Sequence, residues 1–367
     1  METNFRLRNT YNSKVLTGIL IFTYIYLISI LFLSQIYVIF PPKYFYDANT
    51  IRKFMDVSTS FIPLDSYNNI AFIYRLIGFN YDTNLAYAGI FTFSLAYLLT
   101  TLCIFVFGKL SLNKYFIGIF SLWSFLMVVY LGQFSKEISV IILLTLTLYI
   151  AGKKDYIFFP ALIVILILYA YYFRIYWVII LYFVLFLYFI KNFSKFKYIL
   201  FLIGFLFLFV IANYKGIFLT DARASVNSFR IGSIDAQSLI LNPLKNTSFV
   251  TDFLNSIIIF IFFIFPIPII LKLKLKYILF SLWELFNIFL FIKAAYFFKN
   301  KYDVPIHIKK RVKFSIIFII SFIFTQSLFE PDYGSFLKHQ IGLIPLYLYL
   351  MSNYFYYKSR LRRLYKA

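Results

Sequence analysis

The side chains able to do chemistry in this chain gather in a few short islands between apolar runs. The richest is "FIFTQSLFEPDYGSFLKHQIGLIPLYLYL" (Phe322–Leu350), where Glu330, Asp332, Lys338 and His339 fall within ten residues. A second, "GQFSKEIS" (Gly132–Ser139), sets Lys136 beside Glu137, and a third, "YYFRIYW" (Tyr171–Trp177), isolates Arg174. Arg223 and Arg230 follow in "DARASVNSFR", seven apart and so about two turns from each other on a helix. Arginine forks grip phosphate oxygens through two parallel hydrogen bonds. Arg174, Arg223 and Arg230, with Lys136 and Lys338, therefore compose a cationic pocket suited to a lipid-linked pyrophosphate, whose charge would lie at the membrane edge. Each island also has a plainer reading. A tight turn needs something polar, and Asp221 and Asp235 are available to pair with Arg223 and Arg230 in solvent. Four ionisable groups in ten residues exceed what a turn requires, and ionisable residues at such depths mark substrate sites by default.

Other catalytic signatures are missing. There is no phosphate-binding GxxxxGK[ST], no HExxH or CxxC metal spacing and no GxSxG. The second histidine, His307, lies in the basic stretch "KNKYDVPIHIKKRVK" and reads as an ordinary loop residue. The single cysteine, Cys103, sits in an apolar run, so no disulfide framework forms within one chain. Neither a metal nor a cofactor is expected.

These islands are positioned by a chain of 367 residues, 62% of them hydrophobic. A soluble domain is nearer half apolar, and here the excess comes in blocks of about 20 residues, the length that spans a bilayer as a helix. The expected fold is all-α, a polytopic transmembrane helical bundle. Full spans are expected at 15–39, 86–107, 115–132, 138–151, 156–172, 176–190, 198–213, 253–271, 314–329 and 340–355. A re-entrant or interfacial helix is expected at 277–297, reached through "FPIP" (Phe265–Pro268). The whole chain reads as one integral-membrane domain with two larger outward loops, at about 40–85 and 214–252. The first apolar run is too long for a cleaved signal peptide and reads as a retained span. The net charge of +22 is absorbed by placement. Lys109 and Lys114, Lys153 and Lys154, Lys191, Lys195 and Lys197, Lys272, Lys274 and Lys276, and the tail "KSRLRRLYKA" all fall on one side under this scheme. Such positive-inside asymmetry puts both termini in the cytoplasm and removes nucleic acid as a partner.

The chain resembles the Wzy-type polymerases of bacterial O-antigen and capsular polysaccharide synthesis. The likeness rests on "FSKEI" between short spans, on "FPIP" followed by an apolar segment with "WE", and above all on "FEPDYGSFLKHQIGLIPLYLYL". In outline it covers the whole chain. Lys338 stands where relatives often carry arginine, keeping the charge without the planar fork. The resemblance implies a glycosyltransferase of the inner membrane that polymerises undecaprenyl-pyrophosphate-linked oligosaccharide repeat units at the periplasmic face. Its partners are then that lipid-linked sugar and the bilayer, with room for a chain-length regulator. The implied roles are a base at His339, with Glu137 and Asp332 as further candidates, and pyrophosphate contacts from Arg174, Arg223, Arg230, Lys136 and Lys338. Glu330, Pro331 and Gly334 support that loop, the Pro and Gly by breaking the chain. Two alternatives remain open: a membrane glycosyltransferase using a polyprenyl-phosphate sugar, and a flippase or transporter of lipid-linked oligosaccharide.

Overall fold

The structure, a computed structural model, describes residues 2–189, 195–228, 238–300 and 304–364. Among them the chain is helical, with one isolated β-bridge and no strand. In chain order the helices are α1 (Glu2–Ile39), α2 (Tyr46–Met55), α3 (Ser66–Leu76), α4 (Leu85–Leu102, continued by a wider turn over Cys103–Phe107), α5 (Lys114–Leu131), α6 (Glu137–Ile150), α7 (Asp155–Tyr172), α8 (Trp177–Phe189), α9 (Lys195–Tyr214), α10 (Asp221–Ser228), α11 (Phe249–Ile264), α12 (Ile267–Ile270), α13 (Leu275–Asn300), α14 (Ile306–Phe329), α15 (Tyr333–Ile341) and α16 (Ile344–Leu364). Among the described residues, six segments are long and apolar enough to cross a membrane: Ser13–Ile39, Leu85–Phe107, Lys114–Leu131, Asp155–Tyr172, Leu275–Asn300 and Ile306–Phe329. Shorter apolar helices cover Glu137–Ile150, Trp177–Phe189, Ile203–Tyr214 and Phe249–Ile264. The sequence reads as one membrane domain; the packing resolves two compact units.

The first unit holds residues 1–175, 300–312 and 341–367. α1 packs on α4 and α5, with the Phe22 ring against Phe105 and Phe120. Gly89 on α4 meets the backbone at Gly132, just past α5, so closely that a Cβ would overlap the Gly132 carbonyl. Tyr37 ties the same corner by donating to the carbonyls of Leu85 and Gly132. α16 lies against α4, α5 and α6, and Ser352 donates to the Lys109 carbonyl at 2.7 Å. The segment expected as an outward loop at 40–85 contains two short helices, α2 and α3. Asp65 caps α3 by accepting from the Tyr67 and Asn68 amides. Asn69 donates to the Tyr172 carbonyl, and the Leu64 amide to that of Tyr171, seating this α2–α3 pair on the end of α7.

The second unit holds residues 176–299 and 313–340. Phe183, Phe205 and Phe209 pack with Leu328 in one aromatic cluster, and a second cluster joins Ile240, Ile259, Phe263, Ile269, Tyr277, Tyr333 and Phe336. The segment 277–297 is helical as expected, within an unbroken 26-residue helix about 39 Å long that lacks the interior turn of a re-entrant segment. The expected span 253–271 is instead interrupted: α11 ends at Ile264, Phe265 is extended, and Pro266 opens the single turn α12.

Contacts show how these helices run. Near the start of α13, Phe280 meets Tyr333, and Gln340 donates to Glu284 at 3.1 Å, so α13 begins beside the chain that follows α14. Its other end, Asn300, lies six positions before the start of α14 at Ile306. α11 behaves differently. Asp252, in its first turn, accepts from the amides of Leu219 and Thr220, next to the α10 segment that binds the end of α14. Its last turn places Phe263 flat on Phe336, with centroids 3.9 Å apart. Both ends of α11 therefore neighbour the same end of α14, and its contact with α14 falls at Phe324.

Candidate functional site

In the first unit the islands at 132–139 and 171–177 come together under the α2–α3 pair. Arg174 donates to Glu137 Oε1 at 2.6 Å; the two residues are 9% and 0% exposed. Glu137 opens α6, and Arg174 follows α7 in a turn whose carbonyls at 171 and 172 hold residues 64 and 69. The resulting ion pair is buried and charge-assisted. It leaves Glu137 enclosed against a cation, unlike a base open to an acceptor sugar. Lys136 is only partly buried. Its ammonium lies 3.5 Å from the Tyr67 ring centroid and 3.9 Å from Asp47, while Tyr67 donates to Asp47 at 2.6 Å. Burial, then the Asp47 carboxylate, push the Tyr67 hydroxyl well above its ordinary pKa, so it stays a donor. Sequence reasoning missed Tyr67 altogether, because nothing local to α3 marks it as the partner of an island some seventy residues on.

In the second unit, Glu330 and His339 meet. His339 Nδ1 lies 2.7 Å from Glu330 Oε2, with the imidazole 21% and the carboxylate 2% exposed. The geometry arises locally: α14 ends at Phe329, Pro331 prevents its continuation, and α15 returns His339 in its last turn. Glu330 Oε1 is buried with no hydrogen-bond partner among the described residues.

Arg223, expected to face a pyrophosphate, is fully enclosed beneath this loop. Its Nε donates to the Glu330 carbonyl at 2.9 Å, one terminal nitrogen to Asn242 Oδ1 at 3.1 Å, and the other to the Ser327 carbonyl. Burial lowers its pKa to about 10, opposed by Glu330 and Asp252, so it remains a cation at neutral pH. Its position makes it a clamp on the C-terminal carbonyls of α14, where a positive charge also favours the helix dipole. Asn227 completes the clamp by donating to the carbonyls of Ile240 and Pro331.

The remaining candidates divide. Asp332 is buried and caps α15, accepting from the Ser335 amide at 2.9 Å, which is a structural task rather than a base's. Gly334 lies in the first turn of α15 and breaks nothing; the break belongs to Pro331 alone. Lys338 is half-buried in the last turn of α15. Arg230 lies outside the described residues. A further carboxylate, Glu284, is buried on α13 against Gln340. No family model, curated protein or solved structure matches this chain.

Proposed function

We propose that this chain is a polysaccharide polymerase of the bacterial inner membrane, extending undecaprenyl-pyrophosphate-linked repeat units at the periplasmic face. The observation that carries the reading is the Glu330–His339 pair on a clamped loop between apolar helices. The carboxylate holds Nδ1 as a proton donor, which makes Nε2 the basic nitrogen. In the reaction the acceptor hydroxyl gives its proton to Nε2 as its oxygen bonds to the donor sugar's anomeric carbon. The bond from that carbon to the pyrophosphate breaks, and its electrons leave with the lipid carrier. Cations near the leaving pyrophosphate stabilise the charge that develops on it. Arg223 acts here through the loop it holds, and Arg174 through Glu137.

The topology proposed with this reading keeps ten crossings and both termini in the cytoplasm, but exchanges two segments. α13 and α14 cross as an antiparallel hairpin, while α11 and α12 stay at the outer side. Lys272, Lys274 and Lys276 then lie outside, with Lys272 and Lys276 near the Tyr277 ring at 5.9 and 5.0 Å. Tyr277 packs in the same cluster as Tyr333 and Phe336. These exposed lysines, with Lys338, replace the enclosed arginines as contacts for the pyrophosphate.

One observation favours a second reading. Glu284 is an ionisable group buried on a helix long enough to span, as a transporter of the same lipid-linked sugar would require. A polysaccharide gel from a strain lacking the gene separates the two. Single repeat units without a ladder, restored by wild type but not by His339→Ala at equal membrane level, support the polymerase. Loss of every repeat unit supports export, and an unchanged ladder refutes both.

A further inference from the structure

A second cationic site lies in the first unit, at a place the proposed reaction does not use. A cavity of about 430 Å³ opens there, lined by Lys153, Lys154, Tyr156, Ile306, His307 and Lys310 among others. It sits where α7 and α14 begin, and both are long and apolar enough to cross a bilayer. The first turn of a spanning helix lies at headgroup depth, and the amides at two helix starts add favourable potential for an anion.

Gly152, which also lines the cavity, is held from behind by Arg311. Arg311 donates to the carbonyls of Phe107 at 2.9 Å and Leu148 at 3.1 Å, and Gly152 rests so closely on its guanidinium that a Cβ would overlap it. Lys310 reaches across to the Lys153 carbonyl at 3.4 Å and pairs with Asp155 at 2.8 Å. That pair occupies the Asp155 carboxylate. Lys153 and Lys154 are exposed, rest over the rings of Tyr149 and Tyr156, and make no ion pair among the described residues. Ile157 and Ile306 are exposed on the same rim, 45% and 74%. Ammonium groups above exposed branched aliphatics at the start of two spans match a molecule with a phosphate head and hydrocarbon tails.

We propose that this cavity binds the phosphate of an anionic phospholipid, whose acyl chains run down past Ile157 and Ile306. The test is native mass spectrometry of the full-length protein titrated with dioleoyl phosphatidylglycerol or dioleoyl phosphatidylcholine. Wild type is expected to hold phosphatidylglycerol more tightly. Lys153→Ala/Lys154→Ala is expected to weaken it roughly thirtyfold, at about fivefold per lysine, with phosphatidylcholine binding unchanged. Lys53→Ala/Lys245→Ala, two exposed lysines elsewhere, is expected to leave the preference intact. Both changes are at exposed positions, and a monodisperse elution profile verifies folding. Equal retention of the two lipids, or a preference untouched by Lys153→Ala/Lys154→Ala, overturns the proposal. Millimolar inorganic phosphate distinguishes the sources: lipid that stays bound supports the proposal, and full displacement identifies free phosphate and overturns its lipid half.

Discussion

The Arg174–Glu137 pair yields the sharpest energetic prediction. Its charges are in direct contact at 2.6 Å, with side chains 8% and 1% exposed. With charge centres roughly 4 Å apart and an effective dielectric of about 20, their attraction is about 4 kcal/mol. Removing one partner forfeits that attraction and leaves the other charge buried, a loss of about 3–5 kcal/mol, whereas replacing both with apolar residues of similar volume is close to neutral. Glu137→Leu and Arg174→Met are therefore each expected to cost about 3–5 kcal/mol of unfolding free energy, measured by denaturant titration in mixed micelles. The double variant is expected to recover most of the loss, giving a coupling of at least about 3 kcal/mol. Single costs below about 1 kcal/mol, the value of an exposed pair, would refute the assignment of Arg174 as a brace. Polysaccharide elongation by the double variant then reports on chemistry. If it returns with stability, Arg174 acts only through Glu137; if stability returns alone, Arg174 contacts substrate.

Other outcomes follow from the same packing. Arg223→Ala strands the Ser327 and Glu330 carbonyls and Asn242, and is expected to lower stability by about 3–5 kcal/mol, with Arg223→Lys recovering only part because a single ammonium cannot reproduce the fork; thermal unfolding in detergent checks both. Gly89→Leu forces side-chain atoms into the Gly132 backbone and is expected to cost about 1–3 kcal/mol or more, read by the same assay. A cysteine at Lys274 in a Cys103→Ala background is expected to react with a membrane-impermeant maleimide applied to the outer face. Labelling only after permeabilisation would return α11 to a spanning role.

How much of this was legible in the sequence depended on the kind of question. The apolar segments Ser13–Ile39, Leu85–Phe107, Lys114–Leu131 and Asp155–Tyr172 lie within a residue or two of their expected spans, because a bilayer needs about 20 apolar residues and these runs supply them. The exchange between α11 and α13 was not legible. Hydropathy measures whether a segment tolerates lipid, and both do; the proposed exchange rests on contacts of Phe263, Phe280 and Gln340 across distant sequence. The helices inside the first loop were hidden for a related reason: α2 and α3 are short and amphipathic, and their caps and partners lie partly on α7. At the site, clustering of Glu330 and His339 was visible as spacing. The enclosure of Arg223 was not, since an arginine reaching for phosphate and one clamping carbonyls have the same letter and the same local neighbours.

The central claim is that His339, oriented by Glu330, takes the acceptor proton in glycan elongation. Its most direct test is elongation of undecaprenyl-pyrophosphate-linked repeat units by the purified full-length protein in proteoliposomes. The account predicts chain growth by wild type and a rate lower by about 10²–10⁴ for His339→Ala, the usual contribution of a positioned base, with Glu330→Gln also slowed while folded. Elongation by His339→Ala at the wild-type rate would contradict it.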